Sequence, residues 1–109
     1  MALPRLYFCI RTDLSEGRRA AQLIHACDIW TARYGPQNGS VIVYEVPDEK
    51  TLLGCLPKSG QTVLWREPDL KGAATAWASD AGRLGLPLLG RGHLPKKKQG
   101  WLRRLMRRA

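Results

Sequence analysis

The order of the first elements is set by residues 6–46, which read LYFCIRTDLSEGRRAAQLIHACDIWTARYGPQNGSVIVYEV. The stretch begins with an apolar run, residues 6–10, of the kind found in strands that are covered on both faces. Apolar residues then recur at three- and four-residue intervals from about 18 to 34, which predicts an amphipathic helix. Residues 40–46 are rich in β-branched side chains and predict a second strand. Strand, helix and strand in this order predict a parallel pair joined by a right-handed crossover.

Beyond residue 46, the alternation of strands and helices continues. Asp48 is the expected N-cap or first-turn acid of a second helix, which Pro57 and Gly60 end. Further strand-like patterns follow at residues 62–65, 73–78 and 86–90, the last of them short. The order predicts an α/β fold, a three-layer sandwich with a mixed, mostly parallel four-stranded sheet whose first three strands are parallel.

The net charge of the 109-residue chain is +9, and it is concentrated at the C-terminal end. Residues 1–90 hold ten basic and nine acidic side chains, whereas residues 91–109 hold eight basic and no acidic ones. We therefore predict one nearly neutral domain over 1–90, followed by a basic linker and short amphipathic helix over 91–109. A hydrophobic content of 44% can fill a core, which excludes wholesale disorder. No apolar run approaches the ~20 residues that a membrane span needs.

The three cysteines are isolated and lie within apolar patterns. An odd number of such residues favours free, buried thiols in a reducing compartment over a disulfide framework. The N-terminal residues also lack the pattern of a secretory signal, so we expect a cytoplasmic protein. Neither His25 nor His93 has a metal-ligand partner at short spacing, so no metal site is expected.

Two polar loops, residues 11–17 and 66–72, follow the first and third predicted strands. Ligands of open α/β sheets bind outside the carboxyl ends of the parallel strands, which makes these loops the candidate site. In the second loop, Glu67 and Asp69 flank Pro68, whose ring stiffens the backbone. A carboxylate held at a strand end suits a general base or a water-orienting group.

Each of these polar features also has a plainer interpretation. Pro68-Asp69 could simply build a turn, with Glu67 paired to Arg66 or Arg11. On the first helix, Arg18, Gln22 and His25 lie within roughly 60° of one another. This stripe could hold a phosphate-rich or carbonyl ligand above the sheet edge, or it could be the solvated face of an amphipathic helix.

Several motifs in these loops and helices resemble the archaeal and eukaryotic type (class II) of peptidyl-tRNA hydrolase. They are Arg11-Thr12-Asp13-Leu14, Gly17, Ala20-Ala21-Gln22, His25-Ala26 and Val46-Pro47-Asp48-Glu49. Residues 65–70, with Thr75-Ala76, resemble a divergent branch of the family found in bacteria and phages. The resemblance implies a small α/β sandwich, usually a homodimer, that hydrolyses the ester between a peptide and its tRNA without a metal or organic cofactor.

The resemblance also implies roles for individual residues. The catalytic candidates are Arg18, Glu67, Asp69 and Thr75, and the substrate-binding candidates are Arg11, Asp13, Gln22 and His25. Arg18 stands where the family has a lysine; arginine keeps the positive charge but cannot shuttle a proton. Glu67, or Asp69, stands where the family has an aspartate after the third strand.

In the implied mechanism, Glu67 orients or deprotonates a water molecule that Thr75 positions. Arg18 and backbone N–H groups of the 11–17 loop stabilise the oxyanion. Gln22 and His25 bind the terminal nucleotide or the peptide carbonyl.

The family's loop motif Asp-Ala-Gly-Arg also occurs in the chain, at residues 80–83. It follows the fourth predicted strand, which is too late in the chain, so we interpret it as a connecting turn. If the strand count were off by one, Asp80 would become the catalytic candidate.

The basic C-terminal segment is a second candidate for a binding role. Its RNA-binding candidates are Lys96, Lys97, Lys98, Trp101, Arg103, Arg104, Arg107 and Arg108. Basic side chains bind RNA phosphates and a tryptophan can stack on a base. Packing of a terminal helix on the protein's own domain or on a dimer mate is the alternative, and docking on an anionic membrane is the least favoured partner.

The sequence therefore predicts a peptidyl-tRNA hydrolase with tRNA as its partner. The alternative is a module on the same fold that binds RNA or a nucleotide without turning it over, a role that the arginine at position 18 favours. A weaker third candidate is a phosphodiesterase or sequestering protein for small nucleotides.

Overall fold

The chain forms one five-stranded sheet with two helices, as seen in a computed structural model that describes residues 5–36, 39–82 and 86–92. The elements in chain order are β1 (Leu6–Arg11), α1 (Glu16–Tyr34), β2 (Val41–Val46), α2 (Glu49–Gly54), β3 (Thr62–Glu67), a 3-10 turn (Pro68–Leu70), β4 (Ala73–Ser79) and β5 (Leu88–Gly92). The strand order across the sheet is β3-β4-β1-β2-β5.

The predicted unit of strand, helix and parallel strand is confirmed. β1 and β2 are paired in parallel from Leu6 and Val41 to Arg11 and Val46, and α1 connects them. Ser15 begins α1 by accepting a hydrogen bond from the Arg18 backbone N–H, and Gly35 ends it in a left-handed conformation that favours glycine.

The prediction of a mostly parallel, four-stranded sheet is wrong. β4 pairs antiparallel with both β1 and β3, and β5 pairs antiparallel with β2, so one pair of the four is parallel. Only residues 68–72 connect β3 to β4, which is too short for a crossover and forces an antiparallel pair. The short extended piece predicted near residues 86–90 is a fifth strand, because it pairs with the open edge of β2.

Alternate side chains of the sheet divide the core into two layers. Leu6, Phe8 and Ile10 of β1 pack in one cluster with Trp30 of α1. Cys9 lies in a second cluster on the other face, which includes Leu52 and Cys55 beside α2. Helices therefore cover opposite faces of the sheet, as the predicted sandwich requires.

The topology brings the two polar loops to the same edge of the sheet. β3 runs in the same direction as β1 although β4 lies between them, so the carboxyl ends of β1, β2 and β3 share one edge. β4 begins at this edge. The sequence predicts that loops 11–17 and 66–72 belong to one site, and this requires only that β1 and β3 run in the same direction. That direction is as predicted, although the two strands are not paired with each other.

One sequence prediction concerns a segment that lies almost entirely outside the described residues. Of the predicted basic segment 91–109, only residues 91 and 92 fall within the described residues, as the end of β5, and all eight RNA-binding candidates lie outside them. Among the described helices, none is both long and apolar enough to cross a membrane.

Candidate functional site

The loops that follow β1 and β3 line one cleft. Arg11, the last residue of β1, donates from Nη1 to the backbone carbonyl of Ala74 in β4 at 3.1 Å. The cleft, of about 400 Å³, lies at this junction. Its lining residues are Arg11, Leu14, Asp69, Leu70, Lys71 and Ala73. The edge of the sheet at which the sequence predicts a site is thus a concave surface to which both loops contribute.

Glu67, the predicted general base, is only 8% exposed and its carboxylate accepts hydrogen bonds from two groups. The Asp69 backbone N–H donates to Oε1 at 3.2 Å, and the Trp65 indole N–H donates to Oε2 at 3.3 Å. The bond from Asp69 first, with the Gln22 side chain and the bond from Trp65, outweighs burial and holds the pKa of Glu67 below its ordinary value of 4.5. The side chain is therefore a carboxylate at neutral pH.

The plainer interpretation of the second loop is correct in one part. Residues 68–70 do form a turn, and the Glu67 carboxylate caps it. The expected ion pair of Glu67 is absent from the described residues, because Arg66 donates to the carbonyl of Gly72 and Arg11 binds Asp13.

Gln22 connects Glu67 to the predicted threonine. The Thr75 hydroxyl donates to Gln22 Oε1 at 2.8 Å, and both side chains are buried, at 0% and 3% exposed. The amide oxygen of Gln22 is used by Thr75, which leaves its NH₂ group to favour the Glu67 carboxylate, whose pKa Gln22 lowers. Three of the predicted site residues, far apart in sequence, therefore lie in one chain of polar side chains.

A β-bulge places Thr75 in this chain. Trp65 pairs with Ala76 and Arg66 pairs with Ala74, so Thr75 is an extra residue on β4 that has no opposite partner on β3. Without the extra residue, strict alternation would turn the side chains at 75 and 76 to opposite faces. With it, Thr75 reaches Gln22 of α1 while Ala76 packs in the cluster that α1 covers.

His25 lies beside the same carboxylate. Its ring stacks on Trp65 with centroids 4.6 Å apart and planes inclined by 28°, and His25 is the last of the groups that lower the pKa of Glu67. Both rings are half-buried. Gln22 and His25 thus belong to the site, whereas Arg18, on the exposed first turn of α1, contributes a positive charge at the surface.

The remaining loop candidates lie around the cleft. Arg11 binds Asp13 through two hydrogen bonds of 2.9 and 2.8 Å, which lower the pKa of the Asp13 carboxyl below its ordinary value. The Arg11 side chain is 14% exposed and that of Asp13 is 39% exposed. Asp69 is exposed and lines the cleft, and its backbone N–H binds the Glu67 carboxylate.

Two residues of this region were missed in the sequence. Trp65 lies two residues before Glu67 on the same strand, and the period of two could have placed both side chains on one face. Glu49 of α2 accepts from the Ala74 backbone N–H and so fixes the start of β4. No local pattern signals this contact, because it joins residues 25 positions apart.

The alternative catalytic candidate, Asp80, lies at the opposite edge of the sheet. It follows the carboxyl end of β4, and its Oδ1 accepts from the Gln61 backbone N–H at 2.8 Å. A left-handed Gly60 packs against it, where a Cβ would contact the carboxylate. Asp80 is thus part of a turn, as the sequence predicts.

Within the described ranges, no three histidine, cysteine or acidic side chains form a group that could hold a metal ion. No model of a known protein family matches the chain, and no curated protein does either.

Proposed function

We propose that this protein hydrolyses the ester that joins a peptide to the 3′ end of tRNA. The observation that carries the proposal is the buried chain from Thr75 through Gln22 to the Glu67 carboxylate, beside a cleft at the sheet edge. These three residues are among the eight that the resemblance to class II peptidyl-tRNA hydrolases selects. Two others of the eight, His25 and Arg11, lie in the same region.

The carboxylate of Glu67 offers acceptor positions beyond those that its two hydrogen bonds use. A carboxylate has about four such positions, and Asp69 and Trp65 use two. A water molecule in one of the others would be aligned for attack on the ester carbonyl. Because the pKa of Glu67 is lowered, the carboxylate is a weak base. Its main contribution is to orient the water, and it accepts the proton only as the water attacks.

The proposed reaction then follows the usual course of ester hydrolysis. The water oxygen attacks the carbonyl carbon while its proton moves to Glu67, and the carbonyl electrons form an oxyanion. Arg18 and backbone N–H groups of the 11–17 loop are the groups proposed to stabilise that oxyanion. The C–O bond to the tRNA breaks as the proton passes to the 3′ oxygen, which releases a free peptide and tRNA.

In this proposal Thr75 is a positioning residue. It is fully buried and its hydroxyl is used by Gln22, so it acts by holding the Gln22 amide in the orientation that favours the Glu67 carboxylate. His25 stacked on Trp65 offers an aromatic surface for the terminal base of the tRNA. We further propose that the enzyme works in the cytoplasm on tRNA held in part by the basic C-terminal segment, as a homodimer and without a cofactor.

A second candidate function is binding of RNA or a nucleotide without hydrolysis. The lowered pKa of Glu67 and the arginine at position 18 favour it, because neither group is suited to pass a proton. The same surface would then hold phosphate and base without activating water.

Single-turnover hydrolysis of peptidyl-tRNA separates the two candidates. We expect wild-type protein to release peptide and Glu67→Gln to lose at least about a hundredfold in rate, the usual contribution of a positioned acid–base group. Asp80→Asn, which removes a charge at the opposite edge, is the matched control and should keep the rate. Tight RNA binding with no release by wild type or by Arg18→Lys would select the binding module.

A further inference from the structure

The cleft and the Glu67 carboxylate share a single turn of the chain. Asp69 lines the cleft, while its backbone N–H donates to Glu67 Oε1 at 3.2 Å. Asp69 therefore links the cleft to the carboxylate.

The walls of the cleft are apolar and accessible. Leu14, Leu70 and Ala73 line it and are each half-buried, so they expose hydrocarbon surface to the opening. A volume of about 400 Å³ lies within the range of small-molecule sites, which are mostly apolar with a few polar groups. A cleft of this volume and lining can accommodate an apolar side chain together with the peptide backbone that carries it.

The charged residues of the cleft cancel in pairs. Arg11 is neutralised by Asp13 through two hydrogen bonds, and Asp69 and Lys71 carry opposite charges at the rim. The Asp13 and Ala74 bonds use three of the five N–H groups of the Arg11 guanidinium, and two remain for a ligand. A neutral acceptor such as a peptide carbonyl fits these donors, whereas a phosphate would meet no net positive charge.

We propose that the cleft is the side-chain subsite for the amino acid whose carboxyl group is esterified to tRNA. Its apolar side chain packs on Leu14, Leu70 and Ala73, and a backbone carbonyl of the peptide accepts from Arg11. This inference rests on the proposed hydrolase function and adds a substrate preference to it. Peptides that end in an apolar residue are released from tRNA faster than peptides that end in glycine.

The preference is tested with two defined substrates, N-acetyl-leucyl-tRNA and N-acetyl-glycyl-tRNA carrying the same tRNA body. We expect kcat/KM for the leucyl substrate to exceed that for the glycyl substrate by at least about tenfold, because apolar pockets discriminate to this extent between side chains that differ in methylene groups. Leu14→Ser and Leu70→Ser should each reduce this ratio. Leu89→Ser is the matched control, because Leu89 lies half-exposed on the edge strand β5, and it should keep the ratio.

The outcomes distinguish the subsite from the function on which it rests. Equal turnover of both substrates would overturn the subsite and leave the hydrolase function standing. No turnover of either would overturn the hydrolase function, and the cleft is then judged by NMR titration with N-acetyl-leucine amide and N-acetyl-glycine amide. Selective shifts at the Leu14, Leu70 and Ala73 amides with the leucine compound support the cleft as an apolar side-chain site, and their absence overturns it.

Discussion

The Thr75 hydroxyl donates to the amide oxygen of Gln22 across 53 residues of sequence, with both side chains removed from solvent. The bond joins β4 of the sheet to α1. A buried polar pair of this kind holds its orientation because either partner would be costly to leave unsatisfied. Its removal should therefore affect both the stability of the fold and the properties of the site.

Thr75→Val keeps the shape of the side chain but removes the donor. We expect the free energy of unfolding to fall by about 1–3 kcal/mol, the cost of leaving the Gln22 oxygen buried without a partner. Urea unfolding followed by circular dichroism measures the change. Thr75→Ser retains the hydroxyl and should lose less. Equal stability of the valine variant and wild type would show that the bond is not formed in solution.

Gln22→Leu should raise the pKa of Glu67 toward its ordinary value of 4.5. The variant removes one of the groups that favour the ionised carboxylate and replaces it with hydrocarbon, and both changes act in the same direction. The side-chain carboxyl carbon of Glu67, followed by NMR from pH 2 to 7, reports the shift. Gln61→Leu, at an exposed position far from the carboxylate, is the control. A midpoint that stays fixed in Gln22→Leu would contradict the assigned contact.

Acid should destabilise the protein, beginning near pH 4.5. The pKa values of Glu67, Asp13 and Asp48 are all lowered by hydrogen bonds in the folded state, from 4.5 for Glu67 and 3.8 for the aspartates. Groups of this kind contribute stability that is fully present above the unfolded value and is lost as pH falls through the lowered one. The free energy of unfolding, measured between pH 2 and 7, should therefore fall on acidification.

Glu67→Gln is the variant that tests the origin of this pH dependence. Without the carboxylate, the loss of stability between pH 4.5 and 2 should be smaller than in wild type. An identical slope in the variant would show that Glu67 has the same pKa in the folded and unfolded chains.

The sequence predicts the β1-α1-β2 unit well because its signals are local. Apolar runs, helical periodicity and the break at Gly35 are each read within about ten residues. The place of β4 between β1 and β3 is different, because it depends on which open edges pair once the chain collapses. The position of β4 between β1 and β3 makes the sheet mostly antiparallel, and no sequence feature of residues 73–79 predicts that position.

The candidate site shows the same division between local and long-range information. Glu67 could be chosen from the sequence because a proline-stiffened acid at a strand end is a local feature. The orientation of Thr75 could not be derived from the alternation of β4, because the bulge between Ala74 and Ala76 exists only relative to β3. Only the resemblance to a known family pointed to Thr75 before the pairing was known.

The cysteines should differ in reactivity in the folded protein. Cys9 and Cys55 are buried with their sulfur atoms 3.9 Å apart, and burial raises the pKa of the Cys9 thiol well above its ordinary value. Cys27 is half-buried on α1. A disulfide reagent at pH 7.5 should modify Cys27 first and all three cysteines only after unfolding. Cys27→Ala should abolish the fast phase, and fast modification that persists in this variant would contradict the burial of the other pair.

The basic C-terminal segment should govern the salt dependence of RNA binding. Lys96→Gln with Lys97→Gln removes two charges of that segment, and Lys50→Gln with Lys58→Gln removes two exposed charges of the domain. Each phosphate contact adds about 0.7 to 0.9 to the slope of log affinity against log salt. If both tail lysines bind phosphate, the first double variant should be shallower by about 1.4 to 1.8 and the second should match wild type.

Fluorescence anisotropy of labelled tRNA at several salt concentrations measures both slopes, and the rate of ester hydrolysis at saturating protein should stay unchanged in both variants. The two variants have the same net charge, so a general effect of charge would shift both equally. Equal slopes would place the RNA-binding charge elsewhere on the protein. A loss of hydrolysis with unchanged affinity in the Lys96/Lys97 variant would instead assign the segment to the active site.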